Sequence, residues 1–278
     1  MASRAITLER GTDRALARLL RALAHDPADE ETSSEAEEGW RDLSTQRFFE
    51  RLPPWLELED RTVLDVGCGG GSTCLELARM GARAVGADIQ PVTAATERLE
   101  REPELRDRCE FRQVESLRDL GDRRFDVVLS QDSFEHYADP EGFVFQLVEP
   151  VAPGGLVVIG FGPLWKSPLG GHIDFMTSLP WAHLLFPERV IMAERRRFRP
   201  DEDATRFEDI LGGLNRMTLT RFTRIMDATG LERLSLDTNR GRHPAMKAFR
   251  PLAAIPPLRE YFTSNVYGVW RKPGADAE

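Results

Sequence analysis

Val63-Leu64-Asp65-Val66-Gly67-Cys68-Gly69-Gly70-Gly71 is the stretch that decides the fold. Its first half is a short apolar run, the composition of a buried strand. Glycines then crowd a tight turn, where the missing Cβ lets backbone approach a ligand closely. Ser72 to Met80 reads as the following helix, with Gly81 as its C-terminal stop. A loop that opens into a helix N-terminus offers free N–H groups to a ligand carboxylate or phosphate. A dinucleotide fingerprint, G-x-G-x-x-G, needs a third glycine three places after the second. That place is Ser72 when counting starts at Gly67 and Cys74 when it starts at Gly69, so the pattern fails. D-x-G-x-G-x-G fits instead, through Asp65, Gly67, Gly69 and Gly71.

Outward from this loop the rhythm is strand, helix, strand, helix. Ala84 to Ala87 reads as a second strand and Val92 to Glu100 as a helix. Cys109 to Arg112 and Phe125 to Ser130 are the next strands, followed by a helix over Gly142 to Val148. The turn Pro153-Gly154-Gly155 precedes a fifth strand, Leu156 to Ile159. Such alternation predicts an α/β fold: a Rossmann-like, doubly wound, mostly parallel sheet. Residues 161–216 break the rhythm with Pro163, Pro168, Pro180, Pro187 and Pro200, and read as a cap inserted after strand five. Regularity resumes with a helix over Thr218 to Thr229, stopped by Gly230. Leu231 to Leu236 and Tyr267 to Arg271 bring the sheet to seven strands. Upstream, Leu16, Leu19, Leu20 and Leu23 mark an amphipathic helix within 6–25. Asp26 to Glu38 holds seven acids and no base and reads as a solvated linker, and a short helix spans Thr45 to Leu52. The expected organisation is an N-terminal helical lid (1–60), a core (61–160 and 217–272) and a cap (161–216).

Asp88 lies 21 positions after Gly67, at the end of the second strand. A carboxylate there can accept both hydroxyls of a ribose. Four ordered pieces now stand together: V-L-D-V-G-C-G-G-G, A-V-G-A-D-I-Q-P, F-D-V-V-L-S-Q-D-S-F-E-H-Y-A-D-P and A-P-G-G-L-V-V-I. The chain resembles class I S-adenosylmethionine-dependent methyltransferases from Val63 to about Ile159, and more loosely to Arg271. The resemblance implies S-adenosylmethionine as cofactor, with Asp65, Gly67, Cys68, Gly69 and Gly71 around its methionine moiety. It implies Asp88 on the ribose and Ile89 against the adenine. Glu115 and Ser116 match the acid and small residue at the adenine amino group, with Glu one methylene longer than the commoner Asp. Ser130 and Gln131 are expected to line the cofactor pocket.

Ligands of open α/β sheets sit beyond the carboxyl ends of the strands. There, Asp132-Ser133-Phe134-Glu135-His136 follows strand four and His172 follows strand five. Two carboxylates and two imidazoles suit a divalent metal. Asp132, Glu135, His136 and His172 are similar to the acid-x-x-Glu-His…His site of ubiquinone-biosynthesis O-methyltransferases and small-RNA 3′-terminal methyltransferases. In those families the metal holds the substrate hydroxyl and lowers its pKa. The first acid here is Asp, not Glu, which shortens one ligand. Two readings stay open: a metal set, or a helix start at Glu135-His136 with His172 as general base. His136 and His172 are the candidate catalytic residues.

Bulk composition narrows the partners. The chain has 278 residues, 41% hydrophobic, with a formal net charge of −9. That balance argues against a general nucleic-acid or anionic-membrane binder, which needs a basic face. Cys68, Cys74 and Cys109 form no C-x-x-C pair and read as reduced thiols. No apolar run approaches the roughly 18 residues of a membrane span, and the N-terminus carries no apolar signal core. The expectation is a cytoplasmic enzyme with a small-molecule acceptor. Substrate choice should lie in the cap, where Trp165, Phe175, Met176, Trp181, Leu184, Leu185 and Phe186 either wall an apolar pocket or form the cap's own core. Arg195, Arg196, Arg197 and Arg199 either meet an anionic acceptor group or are balanced by Asp201, Glu202 and Asp203. The leading expectation is O-methylation of a small-molecule hydroxyl. N- or C-methylation, and a non-catalytic cofactor-binding module, are the alternatives.

Overall fold

A computed structural model describes residues 10–26, 34–210, 212–241 and 244–274. Seven strands form one sheet: β1 (Thr62–Val66), β2 (Arg83–Asp88), β3 (Cys109–Gln113), β4 (Phe125–Gln131), β5 (Val151–Phe161), β6 (Glu232–Thr238) and β7 (Val266–Arg271). Their order is β3-β2-β1-β4-β5-β7-β6. The first five strands run parallel. β7 pairs antiparallel with both β5 and β6. The helices are α1 (Gly11–Ala22), α2 (Ser34–Arg51), α3 (Ser72–Arg79), α4 (Thr93–Glu100), α5 (Pro140–Val148), α6 (Ala182–Leu185), α7 (Glu188–Arg195), α8 (Leu219–Asp227), α9 (Pro244–Ala253) and α10 (Arg259–Phe262).

Period-two alternation in the strands sends side chains to two cores. Leu64, Val66 and Val128 face one layer, with Val144 and Leu147 of α5 and Phe222 and Ile225 of α8. Val63, Ala84 and Val127 face the other, with Leu75 and Leu77 of α3 and Phe48 of α2. A third core lies within 173–214 and includes Ala17 and Leu20 of α1. Arg21–Glu194 (2.6 Å) and Arg189–Asp13 (2.6 Å) tie α1 to α7. Thus α1 packs on the cap segment, and α2 is the N-terminal element that reaches the sheet.

Three local expectations differ from the structure. Ser34 to Glu38, read as linker, begin α2; Phe48, buried in the sheet core, supplies the tertiary packing that sustains a polar helix. The Pro153-Gly154-Gly155 turn lies inside β5. A register shift between Phe125 and Val127 absorbs it as a bulge, so pairing starts at Val151 and resumes at Leu156. The sequence pattern does not predict α9, which contains Pro251 and buries no residue, so its signal is weak.

Candidate active site

The carboxyl ends of β1, β2, β4 and β5 face one edge of the sheet, and the motif residues gather there. Gly67, Gly69 and Gly71 have φ of +79°, +48° and +83°. A Cβ on Gly67 would sit 2.6 Å from Ser133 Oγ, and one on Gly71 would sit 2.7 Å from the Phe111 ring. At these two positions both conformation and space demand glycine. No side chain caps the start of α3, so its first N–H groups point into the site.

Asp88 ends β2 with its carboxylate already oriented. Gly69 N–H donates to one oxygen and Gln90 N–H to the other, both at 2.8 Å. Beside it Ile89 is 68% exposed, a large apolar side chain with no cover. Asp65 is the opposite case. It is 1% exposed, and its hydrogen-bond donor is Cys74 Sγ at 3.5 Å. No Lys, Arg or His pairs with it among the described residues. Burial, with a push from Asp88, raises its pKa to about 7.

The remaining cofactor-side residues are placed less uniformly. Ser130 is fully buried, with its hydroxyl 2.9 Å from Tyr137 Oη, so it supports the floor rather than lining an open surface. Gln131 accepts from Thr73 Oγ1 at 2.9 Å. Cys68 is buried in the loop, and burial pushes its thiol pKa up, so it is inert as a nucleophile. Asp119 accepts from the N–H groups of Glu115 and Ser116, both at 2.9 Å. Ser116 Oγ caps the turn Leu117–Leu120 and contacts Gln146 at 3.2 Å, while Glu115 is exposed.

Beyond β4 the backbone turns sharply through Asp132, whose φ is +47°. A short 3₁₀ turn, Phe134–His136, follows. Glu135 is 2% exposed and its Oε2 has no partner. Burial, then the charge of Asp132, raises its pKa well above the usual carboxylate range. His136 Nδ1 lies 2.7 Å from the carbonyl of Gly213. A carbonyl only accepts, so Nδ1 carries the proton and Nε2 keeps its lone pair. His172 Nε2 likewise donates to Pro163 O at 3.3 Å. Its pKa falls to about 4, through burial first and then its neighbour His136. The two rings meet edge to face, with centroids 5.6 Å apart.

The structure gives the expected metal set no support. Asp132, Glu135, His136 and His172 share one neighbourhood, but among the described residues no three His, Cys, Asp or Glu side chains converge as ligands. Each imidazole gives one nitrogen to a backbone carbonyl and leaves the other free, and the two rings lie at 88°. Sequence spacing placed the four residues close together without aiming their lone pairs at one point.

Several supporting residues have no motif that would reveal them. Asn215 Nδ2 donates to Phe134 O (2.8 Å) and Tyr137 O (2.9 Å), and its N–H donates to Glu135 O (2.9 Å). It thereby clamps the turn that carries His136. Arg51 of α2 contacts Tyr267 Oη, and Ser44 donates to Asp132 at 3.3 Å. In the cap, Arg195 pairs with Glu202 (2.8 Å) and Arg196 with Asp203 (3.1 Å), so these cations are balanced locally. Met176 and Phe186 belong to the cap core, whereas Leu184 and Leu185 are exposed. A cleft of about 360 Å³ lined by Trp55, Arg61, Asp126 and Arg271 opens at the opposite edge of the sheet and holds none of the candidate site residues.

Residues 64–159 match the methyltransferase domain family. A ubiquinone biosynthesis O-methyltransferase of Chelativorans sp. (strain BNC1) is 38% identical over 104 residues, 36% of this chain and 40% of the relative. Another, from Alkalilimnicola ehrlichii, is 38% identical over 113 residues, 40% of this chain and 44% of the relative. The matches span less than half the length of these relatives. Among solved structures, magnesium protoporphyrin IX methyltransferase from Synechocystis PCC 6803, with bound SAH, superposes with a TM-score of 0.53. It shares 16% identity and covers 94% of each chain. A [4+2]-cyclase reaches the same TM-score at 18% identity, covering 90% of this chain and 85% of its own. The likeness of these structures is one of fold, and the fold alone does not fix the reaction.

Proposed function

We propose, from the premise that residues 64–159 are a class I S-adenosylmethionine-dependent methyltransferase domain, that the chain moves a methyl group from that cofactor to a hydroxyl oxygen of a small molecule. Asp65 carries this reading. A carboxylate buried without a cationic partner is costly, and it stands beside a glycine loop that admits close backbone approach. S-adenosylmethionine brings two cations, an ammonium and a sulfonium, and supplies the electrophilic methyl. Asp65 and the loop through Gly67, Cys68, Gly69 and Gly71 hold its methionine end. Asp88 receives the ribose hydroxyls, Ile89 covers one adenine face, and Gln131 lies near the sulfonium side. Glu115 and Ser116 border the adenine edge, the N–H of Ser116 remaining tied to Asp119.

His136 Nε2 is the base. It takes the proton of the acceptor hydroxyl as that oxygen bonds to the methyl carbon. The carbon–sulfur bond breaks, its electron pair returns to sulfur, and a methyl ether and the neutral thioether leave. His172, held neutral by its low pKa, keeps a lone pair on Nδ1 to accept from the acceptor and packs against His136. The acceptor is read as a small molecule because the names of the matched relatives describe a small-molecule pathway.

The test is formation of S-adenosylhomocysteine from S-adenosylmethionine across a panel of catechols, phenols and aliphatic alcohols, with the methylated product identified by mass. Methyl ethers that form in the wild type and not in His136→Ala support the reading. Methylation confined to amines or carbon acids would replace it.

A further inference from the structure

We propose that Arg98 is a positioning residue that latches α2 over the glycine loop and slows departure of the cofactor. The inference rests on the proposal that the loop holds S-adenosylmethionine. Arg98 projects from α4 and is only 6% exposed. Its Nη1 donates to Gly70 O at 3.2 Å and to Ser72 Oγ at 2.7 Å. Its Nη2 donates to Asp42 Oδ1 of α2 at 2.7 Å. One guanidinium therefore joins the loop, the first residue of α3 and α2. A planar fork of donors suits three acceptors at once, which an ammonium does not match.

The part of α2 that lies over the loop is held differently from the rest. Thr45 and Phe48 are buried and anchor the C-terminal half. From Glu38 to Ser44 no residue is buried, and Trp40 is 66% exposed. The described bonds from this half to other elements are polar: Asp42 to Arg98 and to Ser72, Glu38 to Arg101 at 3.4 Å, and Ser44 to Asp132. The Glu38–Arg101 pair is exposed and weak. A segment with few apolar contacts opens more readily than the core, so the buried-side tie of Asp42 to Arg98 governs how long the strap stays shut. Gly70 sits directly below, with Arg41 Nη1 3.3 Å from where its Cβ would be.

Release of S-adenosylhomocysteine followed by stopped flow tests this, with Trp40 as an intrinsic reporter and calorimetry fixing the equilibrium affinity. Arg98→Met and Asp42→Asn should each speed release about tenfold, the effect of one charge-assisted hydrogen bond. The double variant should be no faster than Arg98→Met, and Arg98→Lys should fall between. Should Arg98→Met fail to fold, Asp42→Asn, which removes the outer partner's charge, decides alone. Unchanged release in the folded variants, or strictly multiplying effects in the double variant, would overturn the latch. A wild-type chain that binds no S-adenosylhomocysteine would overturn the cofactor reading and the latch together.

Discussion

Left-handed backbone marks both halves of the site, but different residues adopt it. In the glycine loop it falls on Gly67, Gly69 and Gly71, which have no Cβ to clash. On the acceptor side it falls on Asp132 and His172, and in the cap on Trp181 and Arg216. Each of these costs roughly 1 kcal/mol relative to ordinary backbone. Such strain persists only where surroundings enforce it. The loop needs no enforcement, so its geometry is local and its motif compact. The acceptor side is held by distant partners: His136 reaches Gly213 across 77 positions and Asn215 reaches Phe134 across 81. One half is written in adjacent residues and the other is assembled.

The contrast can be broken most severely at the loop. Gly71→Ala places a Cβ against Phe111 and Ala95 in a left-handed position. It should cost about 2–4 kcal/mol of stability, read from denaturant unfolding, and remove cofactor binding. A variant as stable as the wild type would mean the loop is not the rigid half. On the acceptor side, His136→Ala should lower kcat by about 10²–10⁴ while calorimetry shows cofactor affinity intact; equal losses in both would erase the division of labour. Asp88→Ala should weaken the cofactor about a hundredfold, since it loses two hydrogen bonds to a charged group, with Tm little changed. His172→Ala should reduce turnover about tenfold, the effect of removing one neutral hydrogen bond to the acceptor, and leave affinity unaltered. Asn215→Ala, at the assembled half, should also cost kcat about tenfold through misplacement of His136, with no change in cofactor release.

What could be read before folding follows the same line. β1, β2, β4 and β5 were legible because buried parallel strands are short apolar runs closed by glycine or a polar residue. Asp65, the three loop glycines and Asp88 were legible because one strand–turn–helix fixes them. His136 and His172 were visible as candidates, yet their roles depend on which nitrogen points outward, and that is set by Gly213 and Pro163. Asn215 and Arg98 were invisible, being single polar residues whose partners come from other elements. Tyr137 stood within the fourth-strand motif, and its bond to Ser130 is the one supporting contact a closer reading of that motif would have offered.

The central claim is that Asp65 is a buried anion awaiting a cationic ligand. Its pKa of about 7, raised from 3.8, sets the sign. A raised carboxylate pKa favours the folded free protein while the group is protonated, and that stability is lost as pH climbs through about 7. A cationic ligand needs the ionised form, so binding expels a proton below that pH. Calorimetric titration with S-adenosylmethionine from pH 5 to pH 7 measures this directly. The prediction is affinity that strengthens about tenfold per unit toward pH 7, with proton release at the acid end and no such slope in Asp65→Asn. Binding that is absent throughout, or tight and independent of pH, would contradict it.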